Sequence, residues 1–211
     1  VRVGTGAKLG AIMNDMSHGA LKNTDRALDL ALMNENHFFQ IQTDVQGVLE
    51  TRYTRDGNFY LNPANEVQVM LTTGDGNPVL GQNGAPILIQ NGFDRIEIRD
   101  NGEVLVERGN VQQVAGTIGV VEINRPHVLE ATGGNLFRIP DLEELGYTIG
   151  EIVTPLGTQG RLMESGKLEA SNVDLAEQMT ELISTQRAYQ FNARTISTSD
   201  QMLGLINQLR N

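Results

Sequence analysis

Short apolar segments alternate with Gly, Asn and Asp punctuation over most of this chain. The segments are Phe38-Phe39-Gln40-Ile41, Val67-Gln68-Val69-Met70-Leu71, Ile87-Leu88-Ile89, Arg95-Ile96-Glu97-Ile98, Val104-Leu105-Val106 and Ile118-Gly119-Val120-Val121-Glu122-Ile123. Several place an apolar residue at every second position, the pattern of a strand that buries one face. Between them stand Asp56-Gly57, Asp75-Gly76, Asn83-Gly84, Asn91-Gly92 and Asn101-Gly102, pairs that supply the positive-φ positions of tight hairpin turns. Many short strands at near-regular spacing predict a mainly β protein, with an antiparallel β-sandwich or barrel-like body over residues 1–166.

The period then changes. Residues 171–210 contain no proline and one glycine, Gly204. Leu175, Met179, Leu182, Tyr189, Ala193, Ile196 and Leu203 follow an alternating four-three spacing, with Gln186 and Asp200 as polar interruptions, and Ile183, Ile206 and Leu209 widen the stripe. That seam is coiled-coil-like. Ser171 is the expected N-cap, with Asp174 three residues on as a weaker capping box. One long C-terminal α-helix of about 38 residues would extend about 57 Å, further than the preceding domain is wide. Its apolar stripe therefore calls for a partner outside the β-body, and residues 167–211 read as a helical assembly segment.

Composition narrows the classes of function. None of the 211 residues is a cysteine, so disulfides, thiolate metal sites and thiol nucleophiles are excluded. The formal charge is -10, and residues 161–211, with five Lys/Arg and six Asp/Glu, are nearly neutral, so the body carries the acidity. An acidic body without a Lys/Arg cluster argues against nucleic acid and against anionic lipid. No apolar run approaches the ~18 residues of a spanning helix, and no charged-then-apolar N-terminal stretch reads as a signal peptide.

Candidate chemistry is sparse. His18, His37 and His127 lack zinc-site spacing, which needs ligands grouped on one face or turn. Asp56-Gly57-Asn58 and Asp75-Gly76-Asn77 lack the alternating ligands and closing Glu of an EF-hand loop and read as turns. Gly4-Thr5-Gly6-Ala7 has Leu9 where a dinucleotide-binding loop needs its last glycine. No serine sits in a GxSxG frame, and Asp141, Glu143 and Glu144 read as a solvated loop after Pro140. No catalytic residue, cofactor or metal is expected.

Three blocks in order carry a family resemblance. Ala27-Leu28-Asp29-Leu30-Ala31-Leu32, Phe38-Phe39-Gln40-Ile41 and Tyr53-Thr54-Arg55-Asp56-Gly57-Asn58-Phe59 form the first, and Gly76-Asn77-Pro78-Val79-Leu80-Gly81 the second. Leu168-Glu169-Ala170-Ser171-Asn172-Val173-Asp174-Leu175, Met179-Thr180 and Gln186-Arg187-Ala188-Tyr189-Gln190-Phe191-Asn192-Ala193 make up the third. The chain thereby resembles the bacterial flagellar basal-body rod and hook proteins, the distal-rod type most. Asn34-Glu35-Asn36-His37 stands where that family more often has a glycine-containing turn. The resemblance implies a structural subunit of the basal body, exported through the flagellar channel and stacking helically on copies of itself and other rod or hook subunits. It also implies an inner tube of paired terminal helices, the N-terminal one ahead of Gly4-Thr5-Gly6. A hook or hook-associated subunit is the alternative within the family; a β-rich adhesin or phage-tail binding module is the alternative outside it.

Overall fold

The computed structural model describes residues 15–141 and 146–209, the last four for their backbone only. Gly4-Thr5-Gly6-Ala7, Glu143 and Glu144 lie outside the described residues, as do the side chains of Ile206 and Leu209. Internal contacts divide the chain into two units, Val1–Ala170 and Ser171–Asn211.

The first unit is built on a six-stranded antiparallel sheet. In spatial order its strands are β12 (Glu130–Gly133), β13 (Leu136–Arg138), β4 (Val48–Thr54), β3 (His37–Val45), β11 (Val120–Ile123) and β14 (Val153–Pro155). Here simple alternation fails, for a physical reason. Phe39, Ile41 and Val120 enter one apolar core, while Phe38, Tyr53, Val121 and Ile123 enter another. Consecutive residues of β3 and β11 are buried because the sheet is covered on both faces, which produces near-continuous apolar runs.

Two smaller antiparallel sheets contribute to the first core. One is β5 (Phe59–Asn65), β6 (Gln68–Thr73) and β7 (Leu88–Gln90); the other is β8 (Arg95–Ile98), β9 (Glu103–Arg108) and β10 (Val111–Thr117). They supply Phe59, Leu71, Ile89, Ile98, Val104 and Val106. β2 (Leu30–Leu32) pairs with β15 (Met163–Ser165) and closes the same core with Leu30, Leu32 and Met163. The remaining pair, β1 (Leu21–Asn23) with β16 (Lys167–Glu169), is a two-stranded sheet of its own. A short helix, α1 (Ile149–Ile152), adds Ile152 to the second core.

Most of the expected turns are present, with one correction and further turns beside them. Gly76, Gly84, Gly92 and Gly102 all have positive φ. Gly57 does not; Asp56-Gly57 links β4 to β5 without a hairpin, and its glycine answers a close approach described below. Gln46 (φ 55°) and Gly47 (φ 86°) form the two-residue turn between β3 and β4, both at positive φ as the primed hairpin turn requires. Gly109 (φ 58°) plays the corresponding part between β9 and β10.

The second unit is one helix, α2 (Leu175–Leu209). At 1.5 Å per residue its 35 residues extend about 52 Å.

Candidate assembly surface

The Thr54–Phe59 motif is a bracing element of the body. Thr54 Oγ1 donates to the Asn135 carbonyl at 2.7 Å and accepts the Asp56 amide at 3.1 Å. The Asp56 carboxylate accepts from the Asn58 amide and from Asn135 Nδ2, each at 3.1 Å. Gly57 is packed so tightly that an added Cβ would fall 1.9 Å from the Leu30 carbonyl oxygen, while its own carbonyl accepts the Leu30 amide at 3.1 Å. Asn58 Oδ1 accepts from Arg26 Nη1 at 2.9 Å, and the same nitrogen pairs with Asp29. Arg26 also donates to the Phe59 carbonyl and lies over the Tyr60 ring. Phe59 is fully buried edge-to-face on Phe39, with ring centroids 5.0 Å apart.

Arg55 faces the other way and gathers distant segments. Its guanidinium grips Glu169, with Nη2 at 2.7 and 2.8 Å from the two carboxylate oxygens and Nε at 3.2 Å. Nη1 donates to the Met16 carbonyl at 2.5 Å and to the Glu35 carbonyl at 2.7 Å. His18 Nδ1 lies 3.0 Å from Nη2. A fork of this kind is worth more than a point charge because its donors match the carboxylate plane.

On α2 the cap differs from expectation. Asp174, not Ser171, is the N-cap: its Oδ1 accepts the Ala176 amide at 2.8 Å, and its carbonyl accepts the Gln178 amide. Ser171 Oγ accepts the Val173 amide at 3.2 Å in the turn before it. Asp has the shorter reach to the free amides because the chain turns helical only at Leu175.

The expected helix face is apolar and open to solvent. Leu175, Met179, Leu182, Ile183, Tyr189, Ile196 and Leu203 are among the protein's exposed large apolar side chains, and Ala193 is exposed with them. The motif residues Asn172, Val173, Gln186, Arg187 and Ala188 are exposed too. A four-three repeat on a helix of 3.6 residues per turn drifts about 20° each heptad, so the stripe winds slowly around α2. Phe191, Met202 and Leu205, absent from that stripe, are 70%, 55% and 60% exposed. At about 100° per residue Phe191 and Met202 lie on the opposite side from Leu175. Their 11-residue spacing, three turns, is the signal a four-three search passes over. Thr180, Thr195 and Ser199 bond the carbonyls of Ala176, Phe191 and Thr195 on their own helix. Their hydroxyls therefore need no external partner.

His18 lies beside Arg55, His37 is buried in β3 within electrostatic reach of both, and His127 stands apart in the 3₁₀ turn Pro126–Val128. The two Asp-Gly-Asn turns bring Asp56 and Asp75 to one small depression with Asn58 and Asn135. Among the described residues no three His, Asp or Glu are grouped to hold a metal, and no helix is long and apolar enough to cross a membrane.

Residues 32–106, which include the Thr54–Phe59 motif, match the flagellar hook protein FlgE/F/G D1 domain. Residues 164–209, which include Glu169 and α2, match the C-terminal family of flagellar basal body rod FlgEFG proteins. The flagellar hook-basal body complex protein FlhP of Bacillus subtilis is 40% identical over all of this chain and 75% of its own length. The flagellar basal-body rod protein FlgG of the same organism is 37% identical over 96% of this chain and 72% of its own. FlgG of Caulobacter vibrioides is 36% identical, covering all of this chain and 75% of that protein. With such relatives matched over nearly all of this chain, and both family domains present in order, the chain belongs to the flagellar basal-body rod and hook protein family.

Proposed function

We propose that this chain is a structural subunit of the flagellar basal-body rod whose α2 packs axially against copies of itself and neighbouring rod or hook subunits, while the β-body makes the lateral and outward contacts. The observation that carries the reading is the apolar stripe of α2, exposed from Leu175 to Leu203. A contact of this kind repeated head to tail does not close on itself and generates a helical filament, which would transmit torque passively. The subunit would reach its place through the flagellar export channel. A compact rod type fits better than a hook protein, because only about a hundred residues separate Phe59 from Gly166. That span is enough for the remainder of one β-domain but not for a second.

The test is sedimentation of the purified chain over a wide concentration range, alone and with adjacent rod subunits. Association that Leu182→Asp and Ile196→Asp abolish, with the β-body still folded, is expected. A wild-type chain that stays monomeric and binds no rod or hook subunit at high concentration would contradict the reading.

A further inference from the structure

Among the described residues β1 and β16 are three-residue strands that pair with each other and with no other strand. Neither contributes to the two cores; β1 is exposed throughout and Leu21 is 42% exposed. A lone two-stranded pair is marginal in water. Beside the bond from the Gly166 amide to the Asp29 carbonyl at 2.8 Å, the polar ties that hold this one to the body gather chiefly on one side chain.

Arg55 and Glu169 are 11% and 13% exposed. All three nitrogens of the Arg55 guanidinium have acceptors: Glu169 takes Nε and Nη2, and the Met16 and Glu35 carbonyls take Nη1, while His18 Nδ1 lies 3.0 Å from Nη2. Glu169 Oε1 in turn accepts the Gly19 amide at 3.0 Å. Backbone bonds continue the joint, from the Ala170 amide to the Ala20 carbonyl and from the Thr24 amide to the Gly166 carbonyl, each 2.9 Å. The segment 16–23 has one apolar anchor, Met16 against the second core. Three stretches far apart in sequence thus meet on a single guanidinium: 16–19, the turn holding Glu35, and Glu169.

We infer that Arg55 is a latch coupling the two connections at the ends of the β-body, so that residues 16–23 and 166–170 are held together or released together without unfolding the cores. The coupling is reciprocal, since one group serves both sides. It follows from the body's own geometry and is independent of the assembly reading.

Hydrogen exchange on the full chain tests it, comparing wild type with Arg55→Gln and Arg55→Lys. Both substitutions leave the β1–β16 ladder chemically intact, and lysine keeps the charge but not the fork. The latch predicts exchange about tenfold or more faster at Leu21–Asn23 and at Lys167–Ala170 in both variants, with β3 and β11 amides unchanged. Glu169→Gln should reproduce this at both segments. Retained protection of the ladder in Arg55→Gln would overturn the latch. So would loosening of one segment alone, or an equal loss across β3 and β11, which would make Arg55 a general support of the fold.

Discussion

At Gly57 the backbone of β5's approach touches that of β2, and no side chain fits between them. Gly57→Ala is expected to cost upwards of about 3 kcal/mol in denaturant unfolding, since backbone must move. Gly76→Ala serves as the comparison: it has positive φ but no atom within 4 Å of an added Cβ, so conformational strain of about 1 kcal/mol is the expected cost. Equal costs would mean that turn strain, not close approach, explains Gly57. His37, paired in register with Glu122, gives a pH prediction. Burial holds its imidazolium below the ordinary range, opposed by Glu122 and by a bond with the Leu162 backbone. The unfolded chain takes up the proton first as pH drops below about 6.5. Stability present above that pH is therefore lost as pH falls through the lower folded value. His37→Gln should flatten the fall in stability that begins as pH drops below about 6.5. It should leave the loss at lower pH, where the depressed carboxylates of Glu151 and Glu164 titrate. An unchanged slope in the variant would show that His37 titrates freely. The motif Thr54–Phe59 stood out in the sequence through its resemblance, but the task of each residue did not. Their partners lie near residues 16, 29, 135 and 169, and no local pattern encodes such pairings.

Among the elements, strands were legible where one face is buried or a turn pair punctuates them, as in β8 and β9. β3 and β11 were legible as strands but not as the double-faced centre of the sheet. Phe38-Phe39 and Val120-Val121 announce burial without saying that two cores receive them. The hairpin at Gln46-Gly47 escaped notice because glutamine is an uncommon residue at positive φ. For α2 the period was clear and the start was not, since Ser171 and Asp174 both suit an N-cap. Asp174→Ala should lower the helical circular dichroism signal of residues 171–209 and cost about 1 kcal/mol of helix stability. Ser171→Ala should do neither. If Ser171→Ala has the larger effect, the cap assigned here is wrong.

The whole molecule joins an acidic β-body, which holds two buried apolar cores, to a helix whose large apolar residues are exposed. A free amphipathic helix gains little until it packs. Fast amide exchange along α2 over a protected body is therefore expected in dilute solution. The apolar stripe of α2 was legible from periodicity alone; the kind of partner proposed for it comes only from the family. Phe191 extends the claim, because an apolar residue on the side of the helix away from the stripe asks for a neighbour there as well.

The most direct measurement uses the absence of cysteine from the chain. A single cysteine at Ile196, and another at Phe191 in a separate variant, would be labelled with a thiol reagent in the dilute chain and again after assembly with rod subunits. Rapid labelling of both in dilute solution and protection of both on assembly is the predicted result. Assembly that leaves either position as reactive as before would contradict the assignment of α2 as a helix buried by its neighbours on both sides.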